Sequence, residues 1–326
     1  MLKQLLFLVI LLTFSFSYTQ IVNIPDPNFK AYLVGDFNIN SNGDAEIQIS
    51  EANNFTGFID CSFKNIADLT GIEAFVNIKQ LICNDNLLTS LDTSKNIALK
   101  SLECGNNILI SLTVSPNIAL SVINCYNNQL TNIDISKNIG LDTFDCSNNK
   151  LTNLDVSKNT ALVFLACNQN QIKNLNLINN TALTDLYCNN NKLEILDLKN
   201  GHNSNISSLT STQNPNLFCV QVDNAVYSNA NWFNKDAWSN YSENCGYLSV
   251  ENNKQLKVSF YPNPVKKYFH VQTENKIKSI EFYSLNGQLI KTSFLKDTDI
   301  SNLPKGNYIV KIMTDKGMIT EKIIKD

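Results

Sequence analysis

The sequence predicts a mainly β protein: a solenoid of short parallel strands with N- and C-terminal caps, followed by a small β-sandwich domain. Three observations carry this. Cysteines recur through the middle of the chain at a near-constant interval, two strand-like motifs alternate there, and the final segment switches to short strands separated by turn signals. The recurring sulfurs are Cys61, Cys83, Cys104, Cys125, Cys146, Cys167 and Cys188, the last six 21 residues apart. Such a period means stacked units, each too small to bury its own apolar face. It also separates these cysteines from zinc sites and disulfide frameworks, whose spacings are clustered, as in C-x-x-C.

Aligned on the cysteines, the chain reads L-x-x-L-x-C-x-x-N-x-L, complete at Leu99, Leu102, Cys104, Asn107, Leu109 and at Leu183, Leu186, Cys188, Asn191, Leu193. This resembles the leucine-rich repeat, with Cys in place of the last leucine of the strand. A partial unit surrounds Ile59, Cys61 and Ile66, and a last one, Ile206, Leu209, Ser211 and Asn214, exchanges Cys for Ser. A second motif, L-x-[VIL]-x-x-N, is nested inside the first, as at Leu112 to Asn117 and Leu154 to Asn159. The two alternate every 10 or 11 residues, too closely for a helix of several turns, so both sides of each coil are expected to be short strands. Leucine and cysteine point inward, cysteine acting as a small hydrophobe. Apolar burial stabilises by roughly 25 cal/mol per Å². The asparagines are expected to bond backbone groups at the corners.

The first 20 residues read as a secretory signal peptide, with Lys3, an apolar run from Leu5 to Leu12, and small or polar residues up to Gln20. No later stretch approaches the ~20 apolar residues of a membrane span. Residues 254–326 hold 13 Lys against 7 acids, net +6, and the remainder is net −9 within an overall −3. An acidic solenoid argues against nucleic acid as a partner. The chain has no arginine, the usual bidentate clamp for phosphate.

Residues 21–57 are expected to cap the solenoid. Asp26 as N-cap and Pro27 at the first turn mark a helix start. Beyond it the loop 40–51 is similar to an EF-hand, with oxygen donors at Asn40, Asn42, Asp44, Glu46 and Glu51 and an apolar Ile47 at its eighth position. Asn40 stands where Asp is usual and Ala45 where the sharp turn asks for Gly. Packing on the cap is therefore favoured over calcium, the one cofactor the sequence suggests. The repeats are expected over 58–217 and a C-terminal cap over 218–246. In that cap the off-period Cys219 and Cys245 flank Trp232, Phe233 and Trp238. In an exported chain they read as a disulfide, the rival being two buried free thiols.

A polar, aperiodic linker, 247–257, leads to residues 258–326. Short strands alternate there with turn signals, among them Asn286-Gly287, a strong hairpin signature. The blocks Tyr261-Pro262-Asn263-Pro264-Val265, Ile280 to Gln288 with Gly287, Leu303 to Tyr308 with Gly306, and Lys322 to Lys325 resemble the C-terminal sorting domain of type IX secretion substrates. That resemblance implies a sorting motif at Tyr261, Pro262, Asn263, Pro264, Gly287, Gly306 and Tyr308. It also implies export, recognition by the type IX machinery, and a secreted or outer-surface location.

No nucleophile–base or metal motif is present, and the two histidines, His202 and His270, fall in different domains. The regular acids Asp92, Asp134, Asp155 and Asp197 form one repeat column and read as turn chemistry. Function is thus expected on the outward positions of the cysteine strands, found by alternation. Those positions vary from coil to coil, and Tyr126, Phe164 and Tyr187 with Glu103, Asp145 and Asp185 form the candidate patch. Exposed aromatics rimmed by polar groups suit a protein or glycan contact. A non-enzymatic binding or adhesion module is the expected function. The alternatives are a hydrolase using solenoid carboxylates and a self-associating structural surface protein.

Overall fold

The computed structural model describes residues 20–246 and 258–326 apart from Asn286 and Lys316. The expected signal peptide, except Gln20, the linker 247–257, and Asn286 of the hairpin turn lie outside the described residues. The chain is a parallel-strand solenoid of about nine turns followed by antiparallel sheets. Its contacts divide into two compact units, Met1–Leu151 with Lys158–Ala166, and Thr152–Ser157 with Cys167–Asp326.

The first unit opens with helix α1, Pro27–Val34. The Asp26 carboxylate accepts the backbone N–H groups of Asn28 and Phe29 and, with its other oxygen, those of Ala67 and Asp68. Burial raises its pKa, yet the four N–H donors outweigh that and hold it below the usual value. One side chain thus caps the helix and fastens it to the first coil. Helix α2, Ile49–Asn54, follows with a Gln48–Glu51 capping box. Phe29, Leu33, Ile47 and Ala52 are fully buried beneath the two helices.

Strands β1 (Phe58–Asp60), β2 (Gln80–Ile82), β3 (Ser101–Glu103), β4 (Val122–Asn124), β5 (Thr143–Asp145) and β6 (Phe164–Ala166) then pair in parallel, one per coil. The central residues Ile59, Leu81, Leu102, Ile123, Phe144 and Leu165 stack in register with no exposure, and the ladder cysteines stack beside them, equally buried.

Two asparagine ladders hold the corners. Asn107 Nδ2 donates to the carbonyls of Cys83, Cys104 and Gly105 while its Oδ1 accepts from Leu88 N. Asn128 and Asn149 repeat the arrangement one coil on. Between strand and corner the backbone enters the left-handed region at Asp85, Asn106, Asn127 and Asn148, φ 50 to 56°. Asp and Asn visit that region more readily than most residues, although the same column also holds Phe63 and Gln169 at φ 56°.

The second asparagine ladder corrects an expectation. In the first unit the L-x-[VIL] side of the coils, including 112–114 and 133–135, forms no strands. Side-chain amides join the coils there instead: Asn117 Nδ2 donates to Thr93 O and Asn96 O, and Asn138 Nδ2 to Val114 O and Asn117 O. The same corner amides recur in the second unit, as Asn200 Nδ2 to Asn180 O.

In the second unit this same side does become a sheet. β7 (Asn174–Asn176), β9 (Ile195–Asp197), β11 (Cys219–Gln221) and β12 (Asn240–Ser242) lie in the order β12-β11-β9-β7. On the cysteine side β8 (Asp185–Tyr187) pairs with β10 (Ser208–Thr210) in parallel. The ladder therefore runs on into the segment read as the C-terminal cap. There helix α3, Ala225–Asn231, leads to Trp232, whose Nε1 donates to Ile206 O and whose ring meets Tyr227 and Tyr241 edge-on. Cys219 and Cys245 form a disulfide across 26 residues, a closure worth roughly 2–4 kcal/mol.

Residues 258–326 hold seven strands: β13 (Val258–Tyr261), β14 (Tyr268–Thr273), β15 (Ile277–Tyr283), β16 (Leu289–Ser293), β17 (Asp297–Asp299), β18 (Gly306–Thr314) and β19 (Gly317–Lys325). They form two antiparallel sheets, β13-β14-β17 and β16-β15-β18-β19. Val265, Phe269, Ile280, Phe282, Val310, Ile312 and Ile323 make the core of this domain.

Candidate ligand-binding face

Alternation places Glu103, Tyr126, Asp145 and Phe164 of the first unit outward on or beside β3 to β6. All four are half-buried rather than fully exposed, because adjacent strands about 4.8 Å apart shade one another. Ala166, in the same outward column as Glu103 and Asp145, is buried.

Tyr126 is the best-defined of these side chains. A Cβ at Gly105 would stand 2.3 Å from its ring, so the phenol lies across the one coil whose residue after the cysteine is glycine. Asn106 Nδ2 donates to the Tyr126 hydroxyl at 3.0 Å. Partial burial raises the phenol pKa, and the carboxylates of Asp85, Asp145 and Glu103 raise it further. The ring is thus seated, tethered and surrounded by negative charge. Glu103 Oε1 accepts from Gln80 Nε2 at 3.0 Å, and Asp145 Oδ1 accepts from Ser147 N at 2.9 Å. Asn124 sits between these acids in register, and its Oδ1 is shut off from solvent with no hydrogen-bond partner.

In the second unit Asp185 and Tyr187 lie two residues apart on β8, both half-buried. Asp185 accepts from the hydroxyls of Thr184 at 2.6 Å and Ser207 at 3.4 Å. Sequence reasoning missed Asp85 and Asn106, and it placed Gly105 and Asn124 outward without including them in the patch. The one signal for them is the glycine in a column otherwise filled by Asn, Ser and Tyr.

The corner aspartates make turns. Asp92, Asp134, Asp155 and Asp197 each accept the N–H two residues on, at 2.8 to 2.9 Å. Hydrogen bonds from Ser94 and Ser136 hold Asp92 and Asp134 below the usual carboxylate range, with smaller help from Lys95 and Lys137.

In the EF-hand-like loop every oxygen donor except Asn40 Oδ1, which is buried without a hydrogen-bond partner, meets a hydrogen donor. Asp44 accepts from Glu46 N, Asn42 Nδ2 and Gln48 Nε2. Glu51 accepts from Ser41 Oγ, Asn42 N and Gln48 N, while Glu46 is paired with Lys30 at 2.7 Å. Asn40 is buried and gives its Nδ2 to Val34 O and Asp44 O. Amides, backbone N–H groups, one hydroxyl and one ammonium thus occupy the carboxylates of the loop. Among the described residues no group of three or more His, Cys, Asp or Glu is placed to hold a metal ion.

In the last domain, Asn263 ties the entry to the final strand, donating to Lys322 O and accepting from Ile324 N. The peptides before Pro262 and Pro264 are cis, and Gly287 and Gly306 take φ of 81° and 154°. Tyr308 is buried and donates its hydroxyl to Pro304 O at 2.8 Å. Tyr261 is exposed and stacks on His270, whose Nδ1 is 2.6 Å from Asp297 Oδ1.

Residues 259–326 match the family described as the secretion system C-terminal sorting domain. No curated protein sequence matches the chain. Among solved structures it is similar to the functional domain of InlJ from Listeria monocytogenes, which includes a cysteine ladder. The identity is 28% and the TM-score 0.50, over 63% of this chain and 53% of that one. This chain therefore spans about half the length of that relative. A leucine-rich-repeat protein of Leptospira interrogans is similar at 19% identity and TM-score 0.42, covering 48% of this chain and 45% of its own. The internalin InlF of Listeria monocytogenes is similar at 16% and 0.45, covering 69% and 80%. The molecule is a parallel-strand solenoid with a cysteine ladder, similar in fold to a leucine-rich-repeat internalin, and it carries a type IX sorting domain. That domain marks it for export, to be attached to the outer surface or secreted.

Proposed function

We propose that the exported chain is a non-enzymatic binding protein that engages a protein or glycan, in adhesion or a related surface contact, through the outward residues of its cysteine strands. Glu103, Tyr126, Asp145 and Phe164 in the first unit, and Asp185 and Tyr187 in the second, are its candidate contacts. One observation carries this reading. The inward columns are nearly invariant from coil to coil, whereas the outward columns vary widely among the coils and include a tyrosine seated on a glycine and fixed by a neighbouring amide. A scaffold needs only the first of these. The corner aspartates, bound into turns, favour binding over hydrolysis by a carboxylate pair.

The test is a screen of the purified full chain against immobilised extracellular proteins and oligosaccharides. Each hit is repeated with Tyr126→Ala and Phe164→Ala and with the corner change Asp134→Asn. Hits lost in the first two and kept in the third are expected. Hits indifferent to both strand-face changes would move the binding site elsewhere.

A further inference from the structure

The strand face of the first unit has a chemical bias that narrows its ligand. Glu103, Asn124 and Asp145 stand side by side in the parallel register of β3, β4 and β5, so the two acids are about 10 Å apart across two strand spacings. Carboxylates offer only acceptors. Each acid has one oxygen bonded within the protein, and its second oxygen remains to accept from a ligand. Tyr126 lies beside this row, with Asp85, Asp145 and Glu103 close enough to oppose ionisation of its hydroxyl. The outward positions of these coils, three and one before each ladder cysteine and one after it, contain no lysine, in a chain with 26 lysines and no arginine. The lysines of the same coils stand before the strands or at the corners, as Lys100, Lys95 and Lys137 do. The face is therefore rich in acceptors, lacks cations and carries an aromatic ring. Its complement is a group with many donors and positive charge.

We propose that this face docks a lysine- or arginine-bearing segment of a protein partner, with a cationic side chain held between Glu103 and Asp145 against the ring of Tyr126. This rests on the reading of the strand face as the binding face and supplies its ligand class. An ammonium or guanidinium brings three or five donors to the acceptor row. Steering by the negative face makes the association sensitive to salt.

The test uses the full chain with fluorescent decalysine and, separately, neutral chitohexaose at physiological ionic strength. Decalysine is expected to bind. The isosteric pair Glu103→Gln/Asp145→Asn, or Tyr126→Ala, should weaken it at least about tenfold, and the corner pair Asp92→Asn/Asp134→Asn less than about twofold. Tyr126→Phe keeps the ring seated should the alanine variant fail to fold, and its binding should stay close to that of the parent. Absence of decalysine binding, or equal weakening by both acid pairs, overturns the proposal, the latter because net charge alone would then explain it. Chitohexaose binding that is lost in Tyr126→Ala, with no decalysine binding, overturns the cationic ligand and keeps the binding face. Indifference of both probes to every strand-face change removes the face itself.

Discussion

Thr93 Oγ1 donates to Asn117 Oδ1 at 3.0 Å between two fully buried side chains 24 residues apart. In the same ladder Asn96 and Asn138 have no partner on that oxygen, because Val114 stands where Asn138 would need a hydroxyl. Thr93→Val should therefore cost about 1 kcal/mol, through an amide oxygen left unpaired in the core. Val114→Thr should be close to neutral despite burying a hydroxyl, since the hydroxyl would meet Asn138. Urea unfolding of both variants decides this, and a Thr93→Val protein as stable as the parent would show the bond to contribute nothing.

The ladder thiols should make the fold sensitive to alkali. Burial pushes Cys104 up to about 12 from an ordinary 9.0, and Cys61 also to about 12, with Asp60 adding to the burial there. The folded state keeps these protons while the unfolded chain releases them from pH 9 upward. Stability is thus complete below pH 9 and falls as the pH rises towards 12, by about 1.4 kcal/mol per pH unit for each such thiol. Cys104→Ala should lower that slope by one proton's share, and an unchanged slope between pH 9 and 11 would contradict the burial argument.

The seat of Tyr126 can be tested by filling it. Gly105→Ala places a methyl 2.3 Å from the ring. It should displace the phenol from Asn106 at a cost of about 1–3 kcal/mol. In a Tyr126→Ala background the same change should cost less than about 0.5 kcal/mol. Equal costs in the two backgrounds would mean that the glycine serves the backbone and not the ring.

Chelation should leave the N-terminal cap intact. Asp44, Glu46 and Glu51 already meet amide, hydroxyl, backbone or ammonium donors, so melting in EDTA and in millimolar calcium is expected to coincide. A rise in melting temperature with calcium, abolished by Asp44→Ala, would reveal a loop that opens to take the ion.

Removal of residues 258–326 should keep the protein from the cell surface while the solenoid still folds. Surface protease accessibility in the secreting cell is the measurement. Delivery of the shortened chain would mean that the solenoid carries an address of its own.

The core was legible because each inward column repeats. Leu102 and Cys104 are read from their 21-residue copies, and Asp26-Pro27 announces its helix by capping chemistry alone. The outward placement of Glu103 and Asp145 followed from strand alternation. The unpaired side of the early coils did not, since Leu112 to Val114 has the same pattern as Leu175 to Leu177. Asparagine amides join the coils on this side in both units, and the backbone ladder is added only in the second, a difference the motif itself does not contain. β17, Asp297–Asp299, was invisible for a related reason: Asp-Thr-Asp has little strand propensity, and it pairs because Tyr268 to His270 offers an edge. Half-burial of Phe164 and the meeting of Tyr126 with Gly105 are products of packing between coils, which one coil's sequence does not contain.

The two asparagine ladders and the cysteine column all bond or stack between one coil and the next, never within a coil alone. A gene duplication or loss of a whole coil within this array would hand the surviving rungs a comparable neighbour, whereas a fraction of a coil would mismatch the ladders at the seam. The molecule can thus lengthen or shorten its outward face by whole coils, and the reach of that face becomes a heritable variable independent of the chemistry written on it.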